Sequence, residues 1–114
     1  MKQPEARKYL FDIAEACGLI QTFVSGKSLA DYKSDPLLRS GVERQFEIVG
    51  EALGRLIETS PELSEKISYA RRIIAFRNRL IHGYASVADD IVWGIVEGNL
   101  PKLKEEIQQL ITEE

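Results

Sequence analysis

Arg77, Asn78 and His82 fall close together in the stretch RNRLIHGY, residues 77–84. An imidazole can take or give a proton near neutral pH, and a guanidinium can hold two phosphate oxygens at once. The pair suits cleavage of RNA. A ribose 2′-hydroxyl must lose a proton to a base as it attacks phosphorus, and the leaving 5′-oxygen must gain one from an acid. Negative charge that gathers on the phosphoryl oxygens must also be stabilised. The chain holds one histidine, and one imidazole cannot easily act as acid and base together. Two copies joined across the same helix would supply two imidazoles and two guanidiniums, so this chemistry points to a homodimer. A lone histidine at a helix C-terminus is also a favourable partner for the helix dipole, and that reading stays open.

The helix that must position these residues is expected over about Ser68 to His82, with Gly83 as its C-cap. With Arg77 at zero and about 100° per residue, Ala70, Ile73, Ile74, Leu80 and Ile81 fall within about 60° of it. Phe76 lies at the margin of that stripe. Arg71, Asn78 and His82 form a polar flank near 100 to 140°, and Arg72 and Arg79 are on the back. Arg77 is thus expected near the middle of a buried face, where a cation without a partner costs several kcal/mol. It could pair with a carboxylate inside the fold, extend its head to an edge, or line a cleft shared with a second subunit.

The rest of the chain reads as helix, with no two-residue alternation. Pro4 and Glu5 open a first helix that runs to about Val24, its apolar positions Leu10, Ile13, Cys17, Ile20 and Val24 spaced by three and four. SGKS ends it, and SLADYKSD is a connector with room for one helical turn. Asp35 as N-cap and Pro36 at the first helical position start a second helix, to about Glu58. Leu38, Val42, Val49, Leu53 and Leu56 form its inner stripe, which Gln45 shares. TSPELSEK gives another cap and proline, with Leu63 and Ile67 as anchors of a short turn or helix. Ser86 is expected to cap a final segment, Val87 to about Ile111, which Pro101 should kink or split. The fold class is all-α, an antiparallel helical bundle of four main helices, in one domain over residues 1–114.

Bulk properties bound the function. With 44% hydrophobic and 29% charged residues, the 114-residue chain has the make-up of one globular domain. No apolar run approaches the roughly 20 residues of a membrane span, and the N-terminus lacks the apolar segment of a signal peptide. A cytoplasmic location with no membrane association is expected. The single Cys17 reads as core packing. The net charge of −3 speaks against a generally basic nucleic-acid binder. Yet no acid occurs between Glu65 and Asp89, where Lys66, Arg71, Arg72, Arg77 and Arg79 give a local charge of +5. Such a face can attract phosphates. Arg71 and Arg79 are candidate RNA contacts, with solvated helix charges as the alternative. No glycine-rich phosphate loop, histidine-pair metal site or nucleophile elbow is present, and the acid-free interval argues against a metal centre at the motif.

RNRLIHGY resembles the signature of the HEPN superfamily: arginine, a polar residue, three further positions, then histidine. The following x-Tyr is similar to the HepT branch, toxins encoded beside minimal nucleotidyltransferase (MNT) antitoxins. RQFEIVGEALGRL before the motif and DDIVWGIVEGNLPKLKEEI after it also resemble that branch, so the likeness covers nearly the whole chain. The resemblance implies a dimeric, metal-independent RNA endonuclease, with tRNA or mRNA as substrate and no cofactor of its own. Arg77 and His82 would be its catalytic pair, and Asn78 the polar residue that positions phosphate or imidazole. Tyr84 would be the tyrosine to which the antitoxin transfers AMP from ATP. Where relatives often carry tryptophan before the motif, this chain has Tyr69. Two other readings are a non-catalytic HEPN module that binds nucleotide beside its partner enzyme, and a helical adaptor with Arg77 in a buried ion pair.

Overall fold

The computed structural model describes residues 4–82 and 88–113, with His82 described for its backbone only. Helix α1 spans Pro4–Val24, α2 Leu29–Ser34, α3 Pro36–Thr59, α4 Ala70–His82, α5 Asp89–Gly98 and α6 Leu100–Thr112, with a 3-10 segment at Pro61–Lys66. No strand occurs among the described residues. The fold is the expected all-α antiparallel bundle, in which α3 is central. It packs against α1 on one side and α4 on the other, α6 packs on α1, and α2 bridges α3 and α5. No described helix is long and apolar enough to cross a membrane.

Local chemistry explains most of the boundaries. Gly26, at φ +73°, turns the chain out of α1 through a conformation that costs a side chain dearly. Ser28 and Asp31 form a reciprocal capping box that starts α2. Those bonds to Ser28 hold the Asp31 carboxyl below its ordinary range. Asp35 Oδ1 accepts from the backbone N–H groups of Leu37 and Leu38 at 3.1 and 3.2 Å, with Pro36 leading α3 as expected. The break at Pro101 is a full division: α5 ends at Gly98, and α6 begins at Leu100. Pro101 occupies the first turn of α6, where an N–H would have no helical partner.

Two expected starts move. Ser86 was expected to cap the last segment, but α5 begins at Asp89 with Ala88 as N-cap and no side-chain cap bond. Ser86 itself lies outside the described residues, as does the Gly83 cap. Asp89 and Asp90 place two negative charges in the first turn, which favours the helix dipole. Helix α4 begins at Ala70, two residues later than expected, and Ser68 precedes it in a turn. Its N–H and Oγ both donate to the Glu106 carboxylate on α6, at 3.1 and 2.6 Å.

The core draws on every helix. It includes Leu10, Ile13, Cys17 and Ile20 of α1; Val42, Phe46, Val49, Leu53 and Leu56 of α3; and Leu103, Ile107 and Leu110 of α6. Cys17 is fully enclosed, and burial pushes its thiol up to about 12, so it packs as an apolar residue. Tyr32 of α2 lies against Trp93 of α5 with ring centroids 5.5 Å apart. Its hydroxyl is buried without a hydrogen-bond partner among the described residues. Burial, then the charges of Glu43 and Asp89, raise the pKa of that phenol.

Candidate active site

Helix α4 buries Ala70, Ile73 and Phe76, with Tyr69, Ile74 and Leu80 packed against the core. Arg71, Arg72, Ala75, Asn78 and Arg79 are exposed, and Ile81, expected on the inner stripe, is 45% exposed. The buried face therefore centres on Ile73 and Phe76. Arg77 is half-buried at its edge rather than in its middle. The cause is Phe76, whose ring meets Phe46 of α3 edge to face, with centroids 5.3 Å apart and planes at 86°. Seating that ring turns the helix and brings Arg77 to the border.

The stem and head of Arg77 meet different surroundings. Its stem crosses the backbone of α3 at Gly50: a β-carbon at that position would lie 2.2 Å from Arg77 Cβ, 2.6 Å from Cγ and 3.4 Å from Cδ. Its head reaches the exposed flank, where Nη1 donates to Asn78 Oδ1 at 3.1 Å. Arginine only donates, so the Asn78 oxygen must face it, and the amide NH2 remains a donor toward the surroundings. Nε, between stem and head, is buried with no hydrogen-bond partner among the described residues. A buried donor left unsatisfied costs about 1–3 kcal/mol. Among the described residues no carboxylate pairs with Arg77. Of the three ways to accommodate it, an internal ion pair is not made among the described residues. The side chain buries its methylenes and presents its head at the edge.

The structure brings Arg77 and Asn78 into contact. His82 is the last residue of α4, which sets its Cα about 9 Å from that of Arg77 on ideal helix geometry. Its backbone position lies on the same flank as Asn78. The imidazole lies outside what is described, and so does Tyr84. Arg71 shares that flank about two turns before Asn78, and Arg79 is about one turn before His82; both are exposed. Arg71 and Arg72 line an open hollow of about 350 Å³ with Ser64, Ile67, Ser68 and Tyr69, and the Arg72 guanidinium lies 6.0 Å from the Tyr69 ring centre. The residue that sequence reasoning missed is Gly50. A glycine inside a long amphipathic helix signals close backbone approach, and its place beside Val49 and Leu53 of the inner stripe was the available cue.

Residues 13–110 match the family described as ribonuclease HepT-like. A protein of Caldanaerobacter subterraneus, provisionally named an RNase, is 32% identical over 114 residues, covering 100% of this chain and 99% of that protein. The probable ribonuclease HepT of Thermococcus cleftensis is 33% identical over 104 residues, covering 91% of this chain and 94% of the relative. A Methanocaldococcus jannaschii protein, also provisionally named an RNase, is 26% identical over 108 residues, covering 95% and 98%. No solved structure matches significantly.

Proposed function

Because the chain belongs to the HepT-like ribonuclease family, we propose that it is a metal-independent RNA endonuclease that works as a homodimer. The observation that carries this reading is the placement of Arg77: a cation at the edge of the apolar face of α4, its head tied to Asn78 and not neutralised by a carboxylate among the described residues. A fork held this way keeps its remaining Nη N–H groups for an incoming anion. A phosphodiester is the anion that two parallel N–H groups fit best in RNA.

In the proposed reaction Arg77 binds the non-bridging oxygens of the scissile phosphate, and Asn78 steadies the guanidinium through Oδ1. One His82 takes the proton of the ribose 2′-hydroxyl as the O2′–P bond forms. The partner's His82 gives a proton to O5′ as the P–O5′ bond breaks. The products are a 2′,3′-cyclic phosphate and a 5′-hydroxyl. The guanidinium acts most strongly when charge on the phosphoryl oxygens is greatest, so its contribution falls on the chemical step. Exposed Arg71 and Arg79 flank the cleft as contacts for neighbouring phosphates. The substrate is tRNA or mRNA.

The biological role that accompanies this activity is that of a toxin restrained by a minimal nucleotidyltransferase antitoxin. The Tyr84 hydroxyl attacks the α-phosphate of ATP, pyrophosphate leaves, and the AMP that remains puts bulk and negative charge where RNA must bind. The protein itself needs no cofactor.

The test combines growth and chemistry. Expression alone in bacteria is expected to stop growth, and the purified dimer is expected to cut RNA in excess EDTA, leaving cyclic phosphate ends. Arg77→Ala and His82→Ala should each remove both effects while the dimer stays folded. Variants as toxic and as active as the parent would refute the catalytic assignment. A parent that binds nucleotide but neither cuts RNA nor slows growth would favour a non-catalytic binding module. Mass spectrometry after incubation with ATP and the nucleotidyltransferase should place AMP on Tyr84; transfer to another residue, or none, would remove that part.

A further inference from the structure

We infer that Gly50 is a positioning residue of the ribonuclease site: the space left by its absent side chain holds the root of Arg77, and with it the guanidinium, in register with the cleft. The inference rests on the reading of Arg77 as a catalytic residue. Glycine inside a helix is disfavoured relative to alanine, and it has a use where the missing β-carbon lets another element approach. The glycines of α3 differ sharply in that respect. A β-carbon on Gly54, one turn later, would meet nothing within 4 Å. One on Gly41 would make a tight contact with the far edge of the Phe23 ring, at 3.3 Å. One on Gly50 would overlap the Cβ and Cγ of Arg77, at 2.2 and 2.6 Å.

The identity of those atoms matters. Cβ is fixed by the backbone and Cγ is one bond beyond it, so neither can swing aside as the end of a flexible side chain could. Room for a methyl group at position 50 comes only from moving α4 away from α3. Arg77 Cβ would move with the helix, and its guanidinium, several bonds farther out, would lose its aim. Nε is already buried and unpartnered, and Nη1 is held by Asn78. The side chain thus has its stem on α3, a buried central atom and one anchored end. Displacement of reacting groups by about 1 Å can cost around a hundredfold in rate.

The test compares Gly50→Ala with Gly54→Ala and Arg77→Ala in the full-length dimer. It measures cleavage of a defined RNA and the 15N–1H resonance of Arg77 Nε. Gly50→Ala is expected to lower kcat at least tenfold with KM within threefold of the parent, and to shift the Nε–H resonance. Gly54→Ala should stay within twofold in kcat and leave the resonance in place. A folded Gly50→Ala with parental kcat and an unmoved resonance, beside an inactive Arg77→Ala, overturns the positioning role and leaves the ribonuclease reading standing. Parental cleavage by Arg77→Ala overturns both. If Gly50→Ala does not fold, Gly50→Ala/Arg77→Gly decides the matter. Removing the Arg77 β-carbon makes room for the added methyl, so the double variant should recover the fold. Failure to recover overturns the contact on which the inference depends.

Discussion

Replacing Arg77 by lysine should make the protein more stable and nearly inactive. The lysine stem can follow the arginine stem across Gly50, with a methylene close to where Nε is buried. That exchange removes an unsatisfied donor worth about 1–3 kcal/mol and leaves the ammonium at the same edge. Against this stands the loss of the Nη1–Asn78 bond, a contact at the surface worth about 0.5–1 kcal/mol, part of which the ammonium can restore. The net gain is about 0.5–2 kcal/mol. For a chain of 114 residues, about 4 °C in Tm accompanies each kcal/mol, so the expected rise is about 2–8 °C.

Cleavage should respond in the opposite sense. An ammonium cannot offer the paired, planar donors of a guanidinium, and loss of one such stabilising contact in the transition state typically costs about a hundredfold in kcat or more. Urea denaturation followed by circular dichroism gives the first quantity, at matched protein concentration so that any self-association is held fixed. Steady-state cleavage gives the second. A lysine variant less stable than the parent at an unchanged m-value would show that Nε has a partner in the working assembly and is not an orphaned donor. A lysine variant with parental kcat would mean that the fork is not what stabilises the transition state.

Three other expectations are open to direct test. Tyr32→Phe removes a buried hydroxyl that has no partner among the described residues; it should raise stability by about 1 kcal/mol with kcat unchanged, and a loss of stability would show that the hydroxyl is bonded. Burial, and then Asp89, raise the pKa of Glu43 above its usual 4.5. The carboxyl therefore favours folding below the unfolded-state pKa, and that contribution fades as pH rises through the higher folded-state value. Asp31, with a lowered pKa, stays ionised in both states above pH ~5 and adds no slope there. Glu43→Gln should thus stabilise most at pH 7 and progressively less as pH falls toward 4; a Tm difference that does not vary with pH would refute this. The edge-to-face contact of Phe46 and Phe76 should appear in a double-mutant cycle of Phe46→Leu and Phe76→Leu as a coupling of about 0.5–1.5 kcal/mol, and strict additivity would show that the rings contribute by area alone.

What could be read from the sequence was local. Asp35–Pro36 marks the start of α3 through bonds that the cap makes to its own next residues, and Pro101 divides α5 from α6 because its ring and missing N–H act within one turn. The Ser86 expectation was local as well, yet the helix starts at Asp89; a capping pattern is a preference of about 1 kcal/mol, within reach of packing to override. What could not be read was which face of one helix meets which face of another. Gly50 and Arg77 are 27 residues apart, and no spacing rule within either helix announces their contact. The arginine and histidine spacing is open to a chemical reading from the sequence alone, whereas the seating of Arg77 at the edge of the buried face is not.

The rotation of α4 is the step that joins the fold to the chemistry. On a wheel that treats all apolar residues alike, Arg77 falls in the middle of the stripe. The three most buried positions, Ala70, Ile73 and Phe76, instead centre about 40° away from it. That offset exists because Phe76 docks on Phe46, while Ile81, on the other side of Arg77, is left at the surface. With no offset, the guanidinium would be enclosed and would need a carboxylate to neutralise it, which would also spoil it as an anion receptor. With a much larger one, the stem would leave α3 and the head would move freely in solvent. Near 40° the methylenes rest on the Gly50 backbone, Nη1 reaches Asn78, and the backbone of His82 follows on the same flank. The orphaned Nε is the cost of that compromise, and it is why stability and cleavage are expected to part company when arginine becomes lysine.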